Sequence, residues 1–146
     1  MRRFVAFVAI AIALSLPAAA LGVVYFGPFT PQVNNDGIEI YVKRHRGIPR
    51  KVTEIEFHNF PVGSCYQTNH FFQDLRIRLI NGVRRFHGSG HPGQAGNPDW
   101  PPWPSQTVTI RGRFKHKKKR IVGTFRLQDT NCGDSGAVPF VADSLK

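Results

Sequence analysis

Gly133-Asp134-Ser135-Gly136 sets a serine between glycines, beside an aspartate and close after Cys132. A serine in that setting is a candidate nucleophile. Attack by serine also needs a histidine base, an acid to orient the histidine and backbone donors for the oxyanion. His58 or His70, then Asp74 or Asp99, precede Ser135 in a workable order, but among 6 histidines such a trio arises readily by chance. Glu54 and Glu56 alternate along one stretch and offer a second chemistry, a carboxylate pair for glycoside hydrolysis. His87 and His91, with Asp99 beyond, offer a third, a loop-borne metal site. Gly88, Gly90 and Pro92 exclude the regular helix that would align those histidines, and no metal or other cofactor is expected.

The Ser135 tetrapeptide is similar to the nucleophile motif of chymotrypsin-like serine proteases, but its surroundings depart from that family. The base of that family lies in an Ala-His-Cys context, whereas His58 lies in "EFHNF" and His70 in "QTNHFF". Ala137 and Val138 stand where the family continues with glycine and proline. The chain is also too short for the family's two barrels. The expectation is a protein that is not an enzyme, with Ser135 a turn hydroxyl in the polar connection from Asp129 to Gly136. Glu54 and Glu56 then read as carboxylates on a wet strand face.

Charge points to binding. The chain has 20 Lys+Arg against 9 Asp+Glu, a formal net charge of +11. Such a balance favours anionic partners such as cell-wall polymers, lipid head groups, nucleic acid or acidic glycans. Lys115, Lys117, Lys118, Lys119 and Arg120, with His116 among them, crowd into one hairpin tip and form the candidate anion-binding site. Arg111, Arg113 and Arg126 enlarge the patch if they share its face. A solvated tip that discourages edge pairing is the plainer alternative. Trp100 and Trp103, among four prolines in "NPDWPPWPS", form a candidate aromatic platform, or else fold back over the core. No nucleotide-binding motif occurs.

These residues must be positioned by strands. "MRRFVAFVAIAIALSLPAAALG" has a charged start, an apolar run and small residues before Ala20, and reads as a signal-peptide helix over residues 1–20. Its apolar run is shorter than the roughly 20 residues of a spanning helix, and no second such run follows, so residues 21–146 are expected to be one exported domain without a membrane span. Cys65 and Cys132 are expected to form a disulfide in that setting. Ile38, Ile40 and Val42 alternate with polar residues, as do Thr53, Ile55 and Phe57, and Leu75, Ile77 and Leu79. Asn81-Gly82 signals a two-residue hairpin. Val108, Ile110 and Phe114 share a face across a break or bulge expected at Gly112. Ile121, Phe125 and Leu127, and then Val138, Phe140 and Ala142, continue the period of two. The residues at 88–106 form a long loop.

About seven or eight strands predict an all-β, antiparallel two-sheet sandwich, with a small closed β-barrel as the alternative. Cys132, Ser135, Gly136, Val138, Phe140 and Ala142 spell Cys-x-x-Ser-Gly-x-Val-x-Phe-x-Ala. This ending, with the early "GIEIYV" strand, resembles small exported proteins of high-GC Gram-positive bacteria over most of residues 27–143. The resemblance implies export and a β-sandwich and supplies no activity. The long Pro/Trp loop and the lysine run depart from it. The expected role is non-catalytic binding of an anionic polymer at or near the cell surface. A small secreted hydrolase and a ligand-free structural envelope protein are the alternatives.

Overall fold

A computed structural model describes residues 22–33, 35–93 and 105–145. The signal-peptide residues 1–20, Asp99, Trp100 and Trp103 lie outside them. Ten strands follow in order: β1 (Val23–Gly27), β2 (Gly37–His45), β3 (Ile48–Val62), β4 (Cys65–Arg76), β5 (Arg78–Ile80), β6 (Val83–Gly90), β7 (Gln106–Lys115), β8 (Arg120–Asp129), β9 (Gly133–Asp134) and β10 (Val138–Ser144). One tight turn at His116–Lys118 is the only helix-like element among the described residues.

All ladders are antiparallel and join in one sheet of order β4-β3-β2-β1-β10-β8-β7-β6-β5, with β9 against β8. The two ends of this path, β4 and β5, are successive in the chain and separated only by Ile77. They pair with β3 and β6 respectively, so the sheet does not close into the barrel held as the alternative. The strand number exceeds seven or eight because the ladder breaks at Ile77 and because β9 adds a two-residue strand.

Local chemistry accounts for the hairpins. Asn81 and Gly82 have φ of 49° and 74° and connect Ile80 directly to its partner Val83. This is the left-handed pair that a two-residue turn needs. Arg46-Gly47 does the same between His45 and Ile48, with φ of 49° and 71°.

The sheet curls around its apolar face. Phe57 of β3 and Phe125 of β8 are four strands apart in the order, roughly 19 Å along a flat sheet at the usual strand spacing. Their ring centroids are 5.0 Å apart. Phe60 lies 4.9 Å from Phe125, and Phe29 lies 4.5 Å from Phe60. Ile38, Ile40 and Val42, Val108, Ile110 and Phe114, and Ile121, Phe125 and Leu127 are buried, as their alternation predicts.

Three expectations need correction. Val52, not Thr53, is buried beside Ile55 and Phe57, because a bulge shifts the β2–β3 register there. Leu79 is 61% exposed, since past the break at Ile77 the short strand β5 is uncovered on both its faces. Gly112 marks no break in the ladder, which runs through the pair Gly112–Gly123 without a shift. Its glycine is needed for packing, since a Cβ there would stand 2.3 Å from the Phe86 ring.

Cys65 and Cys132 form a disulfide with a Cα–Cα distance of 5.7 Å. It ties the start of β4 to the turn after β8 across a separation of 67 residues. Asp129 holds that turn, accepting the Asn131 and Cys132 N–H groups at 2.8 and 3.1 Å and the Gln106 amide at 2.8 Å. Burial pushes the Asp129 carboxyl up, but these three hydrogen bonds outweigh it and hold the group below its ordinary value.

Candidate functional site

The outward side chains of β5, β6 and β7 build a basic groove. Strand alternation puts Arg111 and Arg113 outward between the buried Ile110 and Phe114. In register, Arg85 faces Arg113 and His87 faces Arg111, while Arg78 faces Arg85 across the Asn81-Gly82 hairpin. Arg78, Arg85 and Arg113 therefore form a row across three adjacent strands. Arg76, at the end of β4, joins them at the wall of a groove of about 950 Å³, with Gly112, Gly123, Phe140 and Val141 also in its lining.

Like charges directly opposite on neighbouring strands repel. Among the described residues, no carboxylate forms an ion pair with any of Arg76, Arg78, Arg85, Arg111 or Arg113. The one acid in the groove lining, Asp74, is engaged by Lys51 at 2.6 Å. Asp74 and Arg76 also line a smaller cavity of about 270 Å³ with Lys43, Arg44, His45, Arg50 and Lys51, so the basic surface continues past the groove.

The lysine tip adjoins this surface. Lys115 continues the outward series of Arg111 and Arg113 along β7. Lys115, Lys117 and Lys119 are exposed and Lys118 is half-buried. His116, Lys117 and Lys118 all have positive φ, at 48°, 54° and 69°, a costly run for residues with a Cβ. The turn is anchored from below. The Lys118 carbonyl accepts the Tyr25 hydroxyl at 2.5 Å and Arg44 Nη2 at 3.1 Å, and Arg44 also donates to the Tyr25 oxygen. Burial raises the Tyr25 pKa and the Arg44 contact opposes this.

Arg120 and Arg126 are differently placed. Arg120 makes two hydrogen bonds to Asp143, at 2.6 and 2.8 Å, and its guanidinium lowers the Asp143 pKa. Arg126 grips Asp134 in the same two-pronged manner. With the Gly136 N–H, that contact holds the Asp134 carboxyl down to about 2. These two arginines have their counter-ions, whereas the groove arginines have none among the described residues.

A second cluster occupies the outward face of β2, β3 and β4. Glu54, Glu56 and His58 alternate along β3. Register sets Glu39 opposite Glu56 from one side and His70 opposite Glu56 from the other. His70 Nδ1 lies 2.9 Å from Glu54 Oε1 and 3.2 Å from Glu56 Oε1. His58 Nε2 lies 3.6 Å from Glu56 Oε2 and 3.7 Å from Glu39 Oε1. The Tyr41 hydroxyl donates to Glu39 Oε2 at 3.0 Å, with Glu56 Oε1 at 3.4 Å as its other acceptor. Burial, the Glu39 hydrogen bond and the charges of Glu56, Glu39 and Glu54 all raise the Tyr41 pKa, so it stays a donor.

The remaining candidates are dispersed. Ser135 Oγ accepts the Leu127 N–H at 2.9 Å and donates to the Gly136 carbonyl at 2.8 Å, bonds that fasten the final turn to β8. His91 Nδ1 is bonded to the Gln106 carbonyl at 2.6 Å and His87 lines the groove, so the two are drawn into different surroundings. No known protein family, curated protein or solved structure matches the chain.

Proposed function

We propose that the chain is an exported, non-catalytic protein that binds an anionic polymer at or near the cell surface, with the polymer lying in the arginine groove. The carrying observation is the in-register row Arg78–Arg85–Arg113, three like charges without a carboxylate partner among the described residues. A row of that kind raises the energy of the free protein, and a polyanion relieves it while releasing its own counterions. Lys115, Lys117 and Lys119 extend the track, while Arg120 contributes less because Asp143 already occupies it. The disulfide fits an oxidising compartment, and among the described residues no helix is long and apolar enough to cross a membrane. The curl that brings Phe57 onto Phe125 supports reading the sheet as two layers of a sandwich, with the groove on an outer surface.

The test is retention on wall teichoic acid and on heparin as salt is raised. The wild type should show a steep salt dependence. Arg85→Ala combined with Arg113→Ala should lower the log–log slope by about 2, one per lost contact. Lys117, Lys118 and Lys119→Ala should weaken retention less. A double arginine variant with unchanged slope contradicts the groove, and a wild type with no salt-sensitive retention contradicts the reading as a whole.

A small secreted hydrolase is the second reading, supported by the convergence of Glu54, Glu56 and His70 within hydrogen-bonding distance. It expects degradation of a wall polymer that Glu56→Gln abolishes.

A further inference from the structure

The Glu39, Glu54, Glu56, His58 and His70 cluster has a charge problem of its own. Its three glutamates are partly buried, with side-chain exposures of 28%, 24% and 19%. The chain has 20 lysines and arginines. Among the described residues, none of them forms an ion pair with any of these glutamates. Among the described residues, the side chains that meet the three carboxylates are two imidazoles and one phenol. A strongly basic protein has thus kept its own side-chain cations away from three gathered carboxylates and placed histidines there instead.

The spacings add an independent indication. The separations of His58 Nε2 from Glu56 and Glu39, 3.6 and 3.7 Å, are too long for hydrogen bonds. They lie near the edge between two ligands of one ion bound at about 2.1 Å, roughly 3.4 Å in a tetrahedral site. In each of the sets Glu39, Glu56, His58 and Glu54, Glu56, His70, one donor atom per residue falls within 4.8 Å of the others. Glu56 belongs to both sets, with Oε2 toward His58 and Oε1 toward His70.

The geometry points to a divalent transition-metal site made of two half-sites that share Glu56. Each half-site has one imidazole, one terminal glutamate and one oxygen of Glu56, so Glu56 bridges two ions as carboxylates do in two-metal centres. Mixed imidazole and carboxylate donors suit zinc, cobalt or manganese, whereas calcium takes oxygen ligands alone. Tyr41 is a positioning residue, since its hydroxyl fixes the Glu39 carboxylate from outside the ligand set. The site shares no residue with the arginine groove, so it stands or falls separately from polymer binding.

The test uses untagged full chain stripped with chelator and titrated with cobalt(II), followed by d–d absorption and displaced by zinc. Two equivalents should bind with the intensity of low-coordinate sites. Glu56→Gln, which keeps the shape of the side chain, should lose both, weakening binding beyond the roughly 10–100-fold of an outer-shell change. His58→Ala and His70→Ala should each lose one, while His87→Ala should bind as the wild type does. Circular dichroism of each variant separates loss of ligand from loss of fold. Absence of cobalt absorption in folded wild type, or absorption retained by folded Glu56→Gln, overturns the assignment.

Discussion

The arginine groove and the glutamate–histidine cluster are both outward faces of one sheet, and both place like charges in register. They resolve the conflict differently. Between Glu39 and Glu56 the protein inserts a phenol that donates to Glu39, with the His58 imidazole 3.6 and 3.7 Å from the two carboxylates. Between Arg85 and Arg113, and between Arg78 and Arg85, no carboxylate stands among the described residues, and the row opens onto a groove of about 950 Å³. Sheet register alone therefore does not mark a binding surface. What separates the two is that side chains of the protein itself meet the carboxylates, whereas among the described residues no carboxylate meets the groove arginines.

The largest expected effect acts on both regions through β4, which carries His70 toward the cluster and Arg76 toward the groove. The disulfide anchors the start of that strand. Cys65→Ala with Cys132→Ala should cost roughly 4 kcal/mol for a loop of this length, read as a fall in the denaturant midpoint. Polymer retention unchanged in the folded variant despite that fall would uncouple the strand from the groove.

A smaller effect sharpens the contrast directly. Arg85→Gln removes a repulsion that no carboxylate among the described residues offsets, and should stabilise the free protein by about 0.2–1 kcal/mol. Glu56→Gln removes a repulsion too, but disturbs its contacts with His58, His70 and Tyr41, and should leave the metal-free thermal midpoint near the wild type. Equal gains from both substitutions would erase the distinction drawn here.

The smallest effect is the acid limb of stability. Arg126 and the Gly136 N–H hold Asp134 at about 2 in the folded state, against an ordinary 3.8. A depressed carboxyl stabilises the fold above its ordinary pKa and loses that contribution as pH falls from about 4 through 2. Thermal midpoints over that range should fall less steeply in Arg126→Met than in the wild type, and parallel profiles would argue against the pair.

Much of the fold is legible in the residues. Val108, Ile110 and Phe114 alternate inward as their spacing implies, and Asn81-Gly82 forms its turn. That turn also makes Arg78 and Arg85 readable as partners, since they are symmetric about it. The meeting of Arg85 with Arg113 is not readable, because the chain between β6 and β7 carries no pattern that sets their register. The cluster is hidden for another reason. Two irregularities shift the β2–β3 register, and without them Glu39 would face Glu54 rather than Glu56. The alternation of Glu54 and Glu56 is the visible signal, and its partners across the sheet are not. The lysine run draws attention by its density, yet Arg120 is already occupied, and the groove is lined instead by arginines scattered from residue 76 to 113.

The most direct measurement is equilibrium affinity for wall teichoic acid at several salt concentrations, comparing wild type with a triple Arg78, Arg85 and Arg113→Ala variant. Loss of the arginine row should weaken binding at low salt and flatten the salt dependence by about 3 in slope, with the fold intact by circular dichroism. Binding that keeps the wild-type slope in the folded triple variant would contradict the assignment of the groove.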